Sequence, residues 1–275
     1  MLTVEGLTAQ FRSRVRTTKA IEDVSFSIPD GVAFGLVGET GSGKSVTLRS
    51  IIGLLPPNGH VVGGRVDFEG DDLLRLRPKQ LREIRGRRIG FVAQNPFGAL
   101  NPILSIEKQF ANVIRAHRKM SRADIREIAM ARLTDVHVRA PERVLKGYAH
   151  ELSGGMAQRV VIALALVHDP SLVIADEPTT ALDVTVQRQI LDLIEEQLQV
   201  GNRSMLLVTH DLGVVAQYCR RVGVMCAGEL VEEGDVEQVF TDPQHPYTRK
   251  LLAAVPSAPV RAETPYRPEL RKVAT

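Results

Sequence analysis

Gly38-Glu39-Thr40-Gly41-Ser42-Gly43-Lys44-Ser45 stands between an apolar stretch, Val32 to Val37, and a helical pattern that continues through Ile51 to Leu55. Pro56-Pro57-Asn58-Gly59 stops that helix, so the local order is strand, glycine loop, helix. In this setting the glycines let successive backbone N–H groups turn inward as an anion-binding nest, and the helix N-terminus adds positive potential at the same place. A chain of phosphates is the ligand that such a nest suits. Lys44 is then placed to contact the β- and γ-phosphates, and the Ser45 hydroxyl to help hold Mg²⁺. An ordinary glycine turn with a surface lysine would require neither the strand before it nor the helix after it.

Downstream, Leu172-Val173-Ile174-Ala175-Asp176-Glu177 is an apolar strand ending in two carboxylates. In a parallel sheet, that end of the strand is where ligands bind. Asp176 suits the Mg²⁺-associated carboxylate, and Glu177 is one residue further on, where it can accept a proton from the water that attacks a γ-phosphate. The plain alternative is an acidic pair that caps the strand against solvent. Around these two elements, Leu2 to Gln10, Val24 to Ile28 and Val32 to Val37 read as strands, as do Val66 to Phe68 and Ile89 to Val92. From Ser171 onward strands (Leu172 to Ala175, Met205 to Val208, Val222 to Cys226) alternate with helices (Val184 to Val200, Leu212 to Arg220), and Leu230 to Glu233 completes a hairpin. Such alternation implies a parallel sheet wrapped by helices. Between Ile103 and Val144 the pattern is helical and charged, so about 94–166 reads as an inserted helical lobe.

With 275 residues, 44% of them hydrophobic, the chain can bury a large core, which excludes a disordered tail. A formal charge of +3 demands no extended nucleic-acid surface. The longest aliphatic run, Val160 to Val167, is far short of the ~20 residues that span a bilayer. Only Cys219 and Cys226 are present, at a spacing unlike a metal clamp, which predicts a reducing compartment, core packing and no iron–sulfur cluster. The basic run Arg82 to Arg88 lacks interleaved aromatics and reads as a solvated face.

The class comes from Leu152-Ser153-Gly154-Gly155-Met156-Ala157-Gln158-Arg159. Ser153 and the backbone of Gly154-Gly155 precede a helical run and would aim N–H donors at an anion; read alone, the segment serves equally well as a helix N-cap. Together with the loop and the acidic strand, in the same order, it resembles the signature of the ATP-binding cassette family. The resemblance covers about residues 1–255. It implies an α/β P-loop NTPase (RecA-like) core with an N-terminal antiparallel β subdomain and an inserted helical subdomain, in a cassette over 1–240 with a C-terminal extension over 241–275.

The resemblance also implies ATP and Mg²⁺ as ligands and assigns further roles. Gln94 matches the glutamine that senses Mg²⁺ and nucleotide, and His210 the histidine that contacts the γ-phosphate. Ala181-Leu182-Asp183 matches a loop at the dimer interface. Ser153, Gly154, Gly155 and Gln158 would face the nucleotide of the other subunit. Phe11 is the candidate for stacking on adenine, with a core role as its alternative.

Gln94-Asn95-Pro96-Phe97-Gly98-Ala99-Leu100-Asn101-Pro102 and His245-Pro246-Tyr247-Thr248-Arg249-Lys250-Leu251-Leu252 resemble segments of importers for oligopeptides, dipeptides and nickel. The resemblance then implies a peripheral protein at the cytoplasmic face of the membrane, with peptides or nickel and metal chelates as cargo. Its expected partners are a second, homologous ATPase subunit, two membrane permease subunits and an extracytoplasmic substrate-binding protein, and not nucleic acid. A soluble cassette ATPase acting on nucleic acid or the ribosome is the rival reading. Asp67-Phe68-Glu69-Gly70 mimics a GTPase element, but it lies in an expected hairpin and no guanine-recognition motif follows.

Overall fold

A computed structural model describes residues 1–13, 15–180 and 182–254. The first sheet is antiparallel. It uses β1 (Leu2–Arg12), β2 (Thr17–Ile28), β4 (Gly59–Phe68) and β5 (Asp71–Asp72) in the order β2-β1-β4-β5. Leu2 and Val4 of β1 are buried in alternation, and a register shift between Val4 and Leu7 moves the period by one residue so that Leu7 and Ala9 are buried as well. Between these strands run β3 (Ala33–Val37) and α1 (Lys44–Ile51), which carry the glycine loop between them.

The second sheet adds β6 (Ile89–Val92), β7 (Leu172–Asp176), β8 (Ser204–Val208), β9 (Arg221–Cys226) and β10 (Glu229–Asp235) to β3, in the order β10-β9-β3-β8-β7-β6. Its strands are parallel except β10, which pairs antiparallel with β9. β7 and β8 are buried along their whole length because the sheet is covered on both faces, which explains their continuous apolar runs.

The helices are α2 (Pro78–Ile84), α3 (Pro96–Ala99), α4 (Ile106–Arg115), α5 (Arg122–Asp135), α6 (Pro141–Lys146), α7 (Gly154–Leu166), α8 (Val184–Gly201), α9 (Leu212–Tyr218), α10 (Val236–Thr241) and α11 (Pro246–Ala253). Their starts are chemically specified: Ser105, Ser121, Asp183 and Asp211 each accept a backbone N–H from the first turn of α4, α5, α8 and α9. The lobe of α3 to α7 buries Phe110, Ile114, Ile125 and Leu133, and this cluster continues through α7 onto Val173, Ala175 and Leu207 of the sheet. The other face of the sheet shares its core with the antiparallel sheet through Phe34, Leu36, Ile51, Ile174 and Leu206. A third cluster joins Val37, Leu212, Val215, Val222 and Val224 to Tyr247, Leu251 and Leu252 of α11. The C-terminal extension therefore begins as part of the fold; residues 255–275 lie outside the described residues. No helix among the described residues is long and apolar enough to cross a membrane.

Three expectations need adjustment. β2 starts at Thr17, well before Val24, because its first residues are exposed and carry no hydrophobic alternation. β4 starts at Gly59, and its glycines and exposed positions hide it in the same way. The basic run is only partly a solvated face. Arg85 donates from Nε to the Ile52 carbonyl (2.6 Å) and from Nη2 to that of Gly53 (2.7 Å), satisfying the C-terminal end of α1. Arg88 pairs with Asp71 (2.6 Å) and Glu69 (2.7 Å) and lies over the Phe68 ring, 5.0 Å from its centre. Arg82 and Arg87 are exposed, as expected.

These contacts predict different outcomes within one basic run. Arg85→Ala strands two carbonyls and should cost about 2 kcal/mol, whereas Arg87→Ala should stay within about 0.5 kcal/mol of the parent. Urea denaturation of both variants checks this; equal midpoints would remove the structural role assigned to Arg85.

Candidate active site

Burial sets the character of the site. Lys44, which opens α1 after the loop from β3, and Asp176, at the carboxyl end of β7, are only 5% and 3% exposed. The Lys44 ammonium is satisfied by backbone: Nζ donates to the carbonyls of Gly38 (2.7 Å) and Glu39 (2.9 Å) and approaches Ser42 Oγ (3.4 Å). Burial lowers its pKa, against the opposing pull of Glu177 and Asp176. Gly38 tolerates no side chain. Its φ is +147°, and a Cβ there would lie 2.2 Å from the Met225 carbonyl oxygen. The loop is further held where Gly228 N–H donates to the Ser42 carbonyl (3.0 Å).

The Ser45 hydroxyl donates to Asp176 Oδ1 at 3.0 Å. Burial pushes the Asp176 carboxyl up from its usual range, although Ser45, Arg49 and Lys44 all favour its ionised form. A hydroxyl and a carboxylate are hard oxygen donors. They suit Mg²⁺, which binds through one or two carboxylates plus substrate phosphates, and among the described residues no three metal-ligating side chains cluster into a cage.

Glu177, the next residue, has φ +45°, a left-handed conformation that is uncommon outside glycine and found at functional sites. Its carboxylate is held on several sides. Gln94 Nε2 donates to Oε2 (3.0 Å), the Thr180 hydroxyl donates to the same oxygen (2.9 Å), and His210 Nδ1 lies 3.3 Å from Oε1. The structure thus brings together Lys44, Ser45, Gln94, Asp176, Glu177 and His210, as the sequence suggested. Thr180 and Arg49 join them unannounced; the only signal for Thr180 was its place in the turn that follows Glu177.

Gln94 also starts a braced segment. Asn95 caps α3 by accepting the N–H groups of Phe97 (3.0 Å) and Gly98 (3.2 Å). Gln109 of α4 then exchanges hydrogen bonds with the Asn101 backbone, accepting its N–H (2.8 Å) and donating to its carbonyl (3.0 Å). Phe97 and Ile103 remain exposed, at 45% and 81%.

The second candidate cluster lies apart. Ser153 accepts the Met156 N–H (3.4 Å) and caps α7, whose first residues are Gly154 and Gly155. A Cβ on Gly155 would lie 2.7 Å from Val186 Cγ1, so glycine lets the start of α7 approach α8. Asp183 caps α8 by accepting the Val186 N–H (3.1 Å); Ala181 lies outside the described residues. No hydrogen bond or ion pair among the described residues joins Ser153, Gly154 or Gly155 to the Lys44–Glu177 group. The assignment of Gln158 to nucleotide is corrected: none of its surface is exposed and neither amide atom has a partner, so a nucleotide arriving from outside has no access to it. Phe11 is half-buried, opposite Thr18 and Gly59 in its sheet, with its ring against Gly59.

Two family models match this sequence: "ABC transporter" over residues 21–180, and "Oligopeptide/dipeptide transporter, C-terminal region" over 231–273. The chain is 49% identical over 93% of its length to the peptidoglycan transport ATP-binding protein YejF of Agrobacterium fabrum, of which it spans 47%. It is 47% identical, again over 93% of its length, to the dipeptide transport ATP-binding protein DppD of Bacillus subtilis, of which it spans 77%. Among solved structures it resembles a dimeric ATP-binding cassette in a post-hydrolysis state bound to ADP and Pi. That likeness has a TM-score of 0.76 and 28% identity, covering 86% of this chain and 99% of the other.

The raised Asp176 pKa has a stability consequence of definite sign. A carboxyl whose folded pKa lies above its unfolded value favours folding while protonated, and that contribution is lost as pH rises through the folded pKa. Asp176→Asn should therefore stabilise the nucleotide-free chain at neutral pH by about 1 kcal/mol, or about 3 °C in melting temperature. The gain should shrink as pH falls into the carboxylate range. Melting curves of both proteins across pH test this, and a less stable variant at neutral pH would refute it.

Proposed function

Because the chain belongs to the ABC transporter family of ATP-binding proteins, we propose that it is the ATP-hydrolysing subunit of an importer for peptides. The observation that carries the catalytic part is the Glu177 carboxylate, held by Gln94, Thr180 and His210 beside the Ser45–Asp176 pair. The peptide part is supported by the match of the C-terminal region and by relatives named for dipeptide and oligopeptide transport. Nickel or metal chelates, the other expected cargo, receive no such support.

In this reading the loop Gly38 to Ser45 binds the phosphates of ATP through its backbone N–H groups, and Lys44 exchanges its carbonyl partners for phosphate oxygens. Ser45 and Asp176 hold Mg²⁺, with Gln94 beside them; the ion supplies neutralisation of charge on the phosphate oxygens. A water molecule attacks the γ-phosphorus, its proton passes to Glu177, and the bond to the ADP oxygen breaks. His210 contacts the γ-phosphate and, with Thr180, keeps the Glu177 carboxylate from rotating away. Phe11 stacks on adenine.

Hydrolysis in this scheme requires two cassettes. Ser153, Gly154 and Gly155 contact the γ-phosphate held by a second, homologous subunit, and Asp183 lies at the same interface. The braced segment near Gln94 to Asn101, with Phe97 exposed, meets a membrane permease subunit, of which the complex has two, and an extracytoplasmic binding protein delivers the peptide. The chain then works at the cytoplasmic face of the membrane.

Glu177→Gln should retain ATP binding while turnover by the membrane-purified complex falls roughly 10²–10⁴-fold. Lys44→Ala should lose binding itself. A nucleotide titration alongside phosphate release separates the two, and near-normal turnover by Glu177→Gln would overturn the assignment. Peptide-stimulated hydrolysis in the reconstituted complex tests the cargo; stimulation by a nickel chelate in place of peptide would overturn that part.

A further inference from the structure

The mechanism leaves unused the segment after β10, yet that segment is fixed against the phosphate loop. Glu232 of β10 accepts the backbone N–H groups of Gln244 (2.7 Å) and His245 (3.0 Å), which sets the approach to α11. His245 Nδ1 then caps the helix by accepting the Tyr247 N–H (3.2 Å). On the inner side Tyr247, Leu251 and Leu252 pack against the cluster containing Val37 and Leu212. Val37 immediately precedes Gly38, and Leu212 opens the helix that follows His210 and Asp211. Three separate devices therefore place one phenol.

Tyr247 Oη accepts the N–H of Glu39 at 3.2 Å. The peptide group that supplies this N–H joins Gly38 to Glu39, and its other end is the Gly38 carbonyl that receives Lys44 Nζ at 2.7 Å. In a trans peptide the N–H and C=O point in opposite directions. The phenol and the ammonium consequently hold one rigid plane from its two sides. The Glu39 carbonyl continues the connection, accepting from Lys44 Nζ (2.9 Å) and from the Ser42 N–H (3.1 Å). Burial raises the pKa of Tyr247, which keeps the hydroxyl neutral at physiological pH.

We infer that Tyr247 is a positioning residue for the phosphate loop: its hydroxyl fixes the Gly38–Glu39 peptide, and with it Lys44, so that the segment after β10 sets how strongly the loop takes ATP. This rests on the reading of the loop as the ATP site. Without the hydroxyl the peptide plane is held from the Lys44 side alone, the carbonyl that holds Lys44 is less fixed, and ATP binding must first order the loop. Affinity falls by the cost of that ordering. Tyr247 reaches the loop through the backbone of Glu39 and not through Lys44, Asp176 or Glu177, so its effect should reach binding more than the chemical step.

The test uses the full chain as wild type, Tyr247→Phe, Glu232→Gln and Lys44→Ala. Three quantities are measured: the dissociation constant of a fluorescent ATP analogue, the hydrogen-exchange rate of the Glu39 amide without nucleotide, and the melting temperature. Tyr247→Phe keeps the ring and its packing. It should bind the analogue roughly fivefold more weakly, by the loss of one neutral hydrogen bond, and exchange the Glu39 amide faster. Glu232→Gln, which loosens the start of α11, should shift both readouts in the same direction, and the double variant should fall short of the summed effects. Binding by Tyr247→Phe at or above the wild-type level, or weaker binding with unchanged Glu39 exchange, overturns the inference. A wild type that binds no better than Lys44→Ala overturns the ATP reading instead, while the Glu39 exchange rate still decides the contact.

Discussion

The constraint on which this structure depends is the burial of an ammonium and a carboxylate at the carboxyl end of one sheet. Neither Lys44 nor Asp176 has more than a few per cent of its surface in water, and burial disfavours the charged form of both. Such groups are tolerated only when each is hydrogen-bonded. The backbone of the glycine loop bends back to meet the lysine, and Ser45 meets the aspartate. Glycine at 38 follows from the same requirement, because the carbonyl of Met225 occupies the place of a side chain.

From that point the architecture reads as a set of supports. The parallel strands bring the two charges to one edge, and α1 carries Ser45 back toward β7. The turn after β9 ties down the loop through Gly228, and α11 closes over the far side of the same loop. Much of the third core cluster exists to hold this covering in place. The helical lobe, by contrast, shares its core with the sheet through α7 and reaches the site through the side chain of Gln94.

The central strands were legible because strands covered on both faces are apolar throughout, and the glycine loop because its chemistry demands a fixed spacing. The exposed half of β2 and the glycine-interrupted start of β4 lacked that signal. Gln158 was read from its neighbours in a motif, but once Ser153 caps α7 the helical period turns position 158 inward among Ala157 and Val161. Arg85 was read from composition, although what decides its role is a pair of carbonyls more than thirty residues earlier. Tyr247 stands within the His245 to Leu252 motif without a role, and Thr180 lies in the gap between the acidic strand end and Ala181. Tyr247 meets Glu39 across 208 positions of chain, a separation that no local pattern encodes.

The stretch from Gln94 to Asn101 is anchored at both ends, to Glu177 by an amide and to α4 through the side chain of Gln109. A short strap with two fixed ends has almost no slack. Phe97, exposed in the middle of that strap, therefore has its place at the surface set by two hydrogen-bonded anchors, one of them on Glu177.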